Sequence, residues 1–172
     1  MAIHRLNHAV LYVRNVARSV AFYRDVLGFD VVTDIGGKAA FLRAAASSND
    51  HDLGLFEIGA SAGPSPAGTS TVGLYHLAWE VDTLADLDRV RTALAEAGAL
   101  VGSSDHSTTK SLYGQDPDGL EFEIAWIVPA DRLDEATLAG RTRIRPLNLE
   151  REIERYGAEL PGGIGISRAT AG

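Results

Sequence analysis

Five histidines and no cysteine stand in this 172-residue chain. Any metal site must therefore draw on imidazole and carboxylate, and zinc–thiolate centres, iron–sulfur clusters and disulfides are excluded. The histidines are His4, His8, His51, His76 and His106. His8 lies in the strand-like run Leu6–Val13, His76 in Tyr75–Val81, and a third such run, Leu120–Ile127, carries Glu123. Strand side chains alternate between faces, so parity sorts them. Ala9, Leu11 and Val13 oppose His8, Val10 and Tyr12; Leu77, Trp79 and Val81 oppose His76, Ala78 and Glu80. In the third run Phe122, Ile124 and Trp126 oppose Glu121, Glu123 and Ala125. His8, His76 and Glu123 thus all point away from the apolar faces. Two neutral imidazoles and one carboxylate, with coordination positions left open, make the 2-His-1-carboxylate arrangement that suits Fe(II) and oxygen chemistry. A single strand histidine is more often a structural residue, so the weight rests on what relates the two.

The elements that must position these side chains occur twice. Leu6–Val13, an amphipathic segment from Val16 to Leu27, Gly28 and Phe29–Val32 are matched by Tyr75–Val81, Thr83–Ala97, Gly98 and Ala99–Val101. His8 overlies His76 at an offset of 68 residues, and Gly28 overlies Gly98 at 70. Val20, Tyr23 and Leu27 recur at helical spacing in the first segment, as do Leu87, Val90, Leu94 and Ala97 in the second. Asn15 and Asp82 or Thr83 are N-cap candidates, and each glycine is a C-terminal stop. Further extended runs follow: Val31–Asp34, Ala39–Ala44 and Asp52–Ile58, then Leu100–Val101, Thr108–Tyr113 and Leu120–Ile127. The Asp116-Pro117-Asp118-Gly119 turn returns the last run beside the one before it.

This pattern predicts an α+β fold of two βαβββ modules, residues 1–60 and 72–128, joined by the Gly59–Thr71 linker. One module cannot cover both faces of its sheet, so the two are expected to pair around a metal-binding sheet cavity as a single domain, 1–128. Residues 129–172 repeat nothing. They read as a C-terminal helical extension, with short helices at Arg132–Ala139 and Leu149–Tyr156, and a flexible tail from Gly162. With 45% hydrophobic and 23% charged residues the composition is that of a globular protein. A net charge of −7 argues against nucleic acid or an anionic membrane as partner. No apolar run approaches membrane-spanning length, and the N-terminal one is too short for a signal peptide, which leaves a cytoplasmic protein as the expectation. Sheet edges that need cover make a homodimer the simplest assembly.

Four stretches resemble the vicinal oxygen chelate superfamily of glyoxalases, extradiol dioxygenases and bleomycin-resistance proteins. They are Leu6-Asn7-His8-Ala9-Val10, the run from Ser19 to Phe29, Tyr75-His76-Leu77, and the run from Asp116 to Glu123. The resemblance spans roughly residues 4–127. Within it the chain is most similar to the extradiol, catechol 2,3-dioxygenase branch: His106, Leu112-Tyr113, Asp116-Pro117-Asp118-Gly119 and Glu123 follow its signature spacing, although Ser104 departs from the usual choice two residues before the histidine. Asn49-Asp50-His51-Asp52-Leu53 resembles the segment that carries the branch's catalytic histidine. The resemblance implies a small aromatic diol and O2 as partners and ring opening outside the diol. It implies Fe(II), with Mn(II), Ni(II) or Zn(II) as alternatives, on His8, His76 and Glu123. His51 would act as acid–base, and His106 and Tyr113 would hydrogen-bond the bound oxygens.

Two other readings stand beside this one. A glyoxalase-I-like Ni or Zn lyase would use Glu57 as a fourth ligand, and a bleomycin-resistance-type binding protein would need neither metal nor the His, His and Glu set. His51 and Glu57 share strand parity but are six residues apart, roughly 20 Å along an extended strand, so only one can serve a small site. The reading preferred here is His51, with Glu57 a solvated strand-end charge. His4 is assigned no role.

Overall fold

The computed structural model describes residues 2–3, 5–68 and 70–163; His4 and the part of the expected flexible tail from 164 onward lie outside the described residues. The first module runs β1 (Ala9–Val13), α1 (Val16–Asp25), β2 (Phe29–Ile35), β3 (Ala39–Ala44) and β4 (Leu53–Glu57). The second repeats it as β5 (Leu77–Glu80), α2 (Leu84–Glu96), β6 (Leu100–Asp105), β7 (Thr109–Gln115) and β8 (Glu121–Ile127). Each module makes its own four-stranded sheet, ordered β1-β4-β3-β2 in one and β5-β8-β7-β6 in the other. In both, the first strand lies parallel to the last and the other pairs are antiparallel. The expected α+β fold with a duplicated βαβββ topology is thus the observed one. The described chain divides into two compact units. One runs up to Pro66 and includes Asp116–Leu120; the other takes Ala67–Gln115 and the chain from Glu121.

Local chemistry sets the helix ends. The Asn15 side chain accepts from the Arg18 amide at 2.8 Å and opens α1. At α2 the cap is Thr83, which accepts from the Asp86 amide at 3.0 Å and donates to the Asp86 carboxylate at 2.6 Å. Gly28 (φ +74°) and Gly98 (φ +66°) follow the two helices in the left-handed region, where a side chain would be strained. The buried stripe of α1 is Val16, Ser19 and Tyr23, with Val20 and Leu27 half-buried, so the helix is rotated slightly from the expected face. In α2 Leu84, Leu87 and Leu94 are buried, while Ala97 is exposed because the helix has ended at Glu96. Strand parity is as expected: Leu11 and Val13 of β1, and Phe122, Ile124 and Trp126 of β8, are buried, while Val10 and Tyr12 are exposed.

In the first unit the turn at Asp116 is built by its own carboxylate, which accepts from the Asp118 and Leu120 amides at 2.8 and 2.9 Å. The buried Tyr23 hydroxyl approaches it at 3.4 Å, and burial pushes both groups above their ordinary pKa values. Asp118 takes the Arg14 amide and guanidinium, each at 2.9 Å, and an ion pair from Arg18.

The C-terminal extension differs in part from expectation. Arg132–Ala139 is not one helix: a 3-10 turn at Ala130–Arg132 is followed by α3 (Glu135–Gly140). Asp134 interrupts it, because its side chain accepts from the Thr137 amide at 2.6 Å and so starts a new helix instead of continuing one. The second helix, α4, spans Leu149–Tyr156 as expected. This segment docks on the second unit. Lys110 of β7 is fully buried, with its ammonium 2.6 Å from Asp105 and 2.9 Å from Glu152 of α4. Arg145 exchanges backbone hydrogen bonds with Asp105 at the end of edge strand β6. The Trp126 indole donates to the Leu160 carbonyl at 3.3 Å. No helix among the described residues is long and apolar enough to cross a membrane.

Removing the cation from this cluster leaves two poorly solvated carboxylates facing each other. Lys110→Ala is expected to lower unfolding stability by about 3–5 kcal/mol in urea titrations followed by circular dichroism. An unchanged midpoint would show that the cluster holds nothing together.

Candidate functional site

Register decides which side chains of the second sheet share a surface. Ala78, Glu123, Tyr113 and Gly102 form one row across β5, β8, β7 and β6; Glu80, Ala125, Ser111 and Ser104 form the next. These rows face away from buried Phe122, Ile124 and Trp126. His76 precedes Ala78 by two residues, outside the strand proper, and presents Nε2 at 3.1 Å from the Glu123 carboxylate. Its Nδ1 is buried without a hydrogen-bond partner among the described residues. The His76 ring lies 4.6 Å from that of Tyr75 and 6.0 Å from that of Tyr113. His106 follows β6 in a tight turn closed by its own amide on the Thr109 carbonyl at 2.9 Å, with Ser107 at φ +69°. That turn sets His106 Nε2 at 2.9 Å from the Tyr113 hydroxyl and 2.8 Å from the Ser104 hydroxyl, with the two hydroxyls 3.0 Å apart. The second unit therefore brings His76 to Glu123 and His106 to Tyr113, with Ser104 beside the latter pair.

The first unit holds His8 and His51. Their ring centroids are 4.6 Å apart, and the edge of Phe41 supports His51 at 5.0 Å. The loop before β4 is tied down by buried Asp52, which accepts from the Ala44 amide, the Ser47 hydroxyl and the Asn49 amide group. Asn49 also donates to the Asn7 carbonyl at 2.9 Å, which fastens this loop to the residue before His8. His8 Nδ1 meets the Asn7 side-chain oxygen at 2.8 Å, and His51 Nδ1 meets the Asp50 carboxylate at 2.9 Å. Both oxygens accept, so each Nδ1 carries a proton, and in the neutral ring the lone pair lies on Nε2. That is the tautomer a metal ligand or a general base requires.

Glu57 does not share a side with His51. Its carboxylate accepts from the Val16 amide at 3.3 Å, at the start of α1, and pairs with Lys38 at 3.3 Å. It serves the helix terminus on the helix-facing side of the sheet, and it is not the solvated charge expected. The parity argument failed because His51 precedes β4, where strand alternation no longer governs direction. The repeat gives a sharper comparison. Val10 pairs with Gly54 as Ala78 pairs with Glu123, so the first-unit counterpart of Glu123 is a glycine. A Cβ there would already stand 3.4 Å from both Phe41 and Val10.

Four residues that touch these side chains carry no role in the sequence analysis: Ser104, Phe41, Asn7 and Asp50. The last two carried a signal, an oxygen acceptor immediately before a histidine in both Asn7-His8 and Asp50-His51. Within neither unit do the described residues gather three His, Asp or Glu side chains that could hold a metal. His76 and Glu123 belong to the second unit and His8 to the first.

Comparison with known proteins agrees with this duplicated architecture. The family model for the glyoxalase/bleomycin resistance protein/dioxygenase superfamily matches residues 5–124. A catechol-2,3-dioxygenase of Bacillus subtilis (strain 168) is 31% identical over 119 residues, 69% of this chain and 40% of that protein. A biphenyl-2,3-diol 1,2-dioxygenase of Rhodococcus globerulus is 34% identical over 122 residues, 70% of this chain and 62% of that one. This chain thus spans less than two thirds of the length of both relatives. Among solved structures, a glyoxalase/dioxygenase from Nostoc punctiforme superposes with a TM-score of 0.58 at 27% identity, covering 70% of this chain and 89% of its own. With two βαβββ modules of identical strand order and a family match across most of its length, the chain belongs to the glyoxalase/bleomycin resistance protein/dioxygenase superfamily.

Proposed function

We propose that this protein is an extradiol dioxygenase that opens a catechol-type aromatic diol with O2, using Fe(II) held by His8, His76 and Glu123. The observation that carries the reading is the residue pairing in the first module. His51, with a free Nε2, stands beside His8, whereas the position that repeats Glu123 is Gly54 and offers no fourth ligand. Dioxygenase names among the relatives point the same way, although those proteins are longer than this chain.

The donor set suits a divalent ion. Two ligand atoms each about 2.1 Å from one ion and at right angles lie about 3.0 Å apart. His76 Nε2 and the Glu123 oxygen have nearly that spacing, at 3.1 Å. Asn7 holds the proton of His8 on Nδ1 and leaves Nε2 for coordination. Bound Fe(II) would supply a centre at which the diol and O2 exchange electrons; Mn(II) accepts the same ligands. The chain's own residues do the rest. His51 Nε2 takes a proton from the diol, and the Asp50 carboxylate on Nδ1 stabilises the imidazolium that forms. Phe41 against the ring edge restricts its rotation. Tyr113, with His106 against it at 2.9 Å, donates a hydrogen bond to substrate oxygen as charge develops there.

Anaerobic reconstitution with Fe(II), followed by oxygen uptake on a panel of catechols, tests the activity. Metal-dependent uptake with the yellow absorbance of a ring-opened semialdehyde is expected. No uptake across a broad panel sinks the reading, and isomerisation of a hemithioacetal by the Ni-loaded protein establishes a lyase in its place. His51→Ala is expected to keep its iron and lose about 10²–10⁴-fold in kcat; loss of iron would make His51 a ligand. Glu57→Ala is expected to leave iron content unchanged and to cost about 0.3–1 kcal/mol of stability, the worth of a charge at a helix N-terminus. Loss of metal from that variant favours the four-ligand site.

A further inference from the structure

Ser104, which departs from the usual residue choice of the signature, touches both His106 and Tyr113. Its hydroxyl is 2.8 Å from His106 Nε2 and 3.0 Å from the Tyr113 hydroxyl, and those two are 2.9 Å from each other. Ser104 is buried, and Ser111 stands directly opposite it in the ladder. A serine pair across two strands ordinarily shares a hydrogen bond. Here Ser111 Oγ is buried with no partner among the described residues, and the Ser104 hydroxyl lies against the imidazole instead.

Counting protons gives this contact its meaning. An imidazole nitrogen donates or accepts but never both, and each hydroxyl donates once. If His106 Nε2 is bare, either hydroxyl can donate to it, and Ser104, at 2.8 Å, is the nearer. If Nε2 carries the proton, it can donate to Ser104, which can donate on to the Tyr113 oxygen. With Ser104 as the partner of Nε2, the Tyr113 proton is left to point out of the triangle. Without the Ser104 hydroxyl, a bare Nε2 has only the Tyr113 proton to accept, at 2.9 Å. We propose that Ser104 is a positioning residue that occupies His106 Nε2 and thereby frees the Tyr113 hydroxyl to donate to a substrate oxygen. The proposal rests on the dioxygenase reading for the identity of that oxygen, but not for the Ser104–His106 contact.

The test has two arms. In metal-free protein, the ring nitrogen NMR signals of His106 are compared in wild type, Ser104→Ala and Ser104→Thr. The alanine variant is expected to move them and the threonine variant, which keeps the hydroxyl, to restore them. In the Fe(II)-loaded protein, Ser104→Ala is expected to lower kcat about three- to tenfold, the worth of one hydrogen bond, with KM for the diol nearly unchanged. Ser104→Thr should retain kcat, and Ser104→Ala should have no further effect once Tyr113→Phe has removed the proton it protects. His106 signals that are unmoved in Ser104→Ala overturn the proposal, as does a kcat loss that persists undiminished in the Tyr113→Phe background. If the NMR arm holds while wild type turns over no diol, the dioxygenase reading falls and the Ser104–His106 contact stands.

Discussion

Parallel pairing of the first strand of each module with its last is the constraint on which the rest of the structure depends. Strands that run the same way bring their beginnings together, so whatever precedes β1 lies beside whatever precedes β4, and likewise for β5 and β8. Such a pair cannot be closed by a hairpin; it needs a long crossover, which the intervening helix and two strands provide. His8 therefore comes to lie near the loop that carries His51, and His76 comes to lie near the first residues of β8 and so to Glu123. A slip of one residue in the β5–β8 register would exchange the faces of Glu123 and Phe122, bury the carboxylate and expose the ring.

Duplication gave two copies of this frame, and their side chains have diverged in a coupled way. At the position opposite the second residue of the first strand, the second module has Glu123 and the first has Gly54. The glycine allows Phe41, its partner on β3, to lie across the strand, and Phe41 in turn supports His51. A glutamate at that position would have to displace the ring that props the histidine. The same frame thus places the His76–Glu123 pair in one copy and the His8–His51 pair beside Phe41 in the other.

Much of this was legible in the sequence, for definite reasons. The repeat, the two glycine stops and the alternation of β1, β5 and β8 are local signals set by backbone geometry, and β3 and α4 fall at the expected residues. Alternation misled only where the strand had not begun: His51 lies before β4, and its direction comes from the Asp52 hydrogen bonds and from Phe41. Glu57 looked like a free charge because its partner, the Val16 amide, is a backbone group 41 residues away that exists as a donor only once α1 has formed. Lys110 resembled any polar strand residue, since Glu152 enters from a segment outside the repeat. Ser104 stood out only as a mismatch to a pattern, and proximity to His106 and Tyr113 is a product of the β6–β7 register.

The C-terminal extension bears on the site through that same register. Ser104 and His106 flank Asp105, so strand alternation sends the Ser104 side chain to the site side and the Asp105 carboxylate to the other. There Asp105 meets Lys110, Glu152 joins the same ammonium from α4, and the Ser107 amide donates to Asp105 at 2.7 Å within the turn that carries His106. Burying three charges is a poor way to gain stability, because desolvation opposes the attraction. Its effect is geometric: the ammonium admits few arrangements in which both carboxylates are satisfied, so the β6–β7 turn is held in one. The back of the strand meets an ion cluster that α4 completes, and its front carries the Ser104, His106 and Tyr113 triangle. Residues 129–163 thus meet β6 and β7 from behind, through Asp105 and Lys110, without contributing a side chain to the triangle.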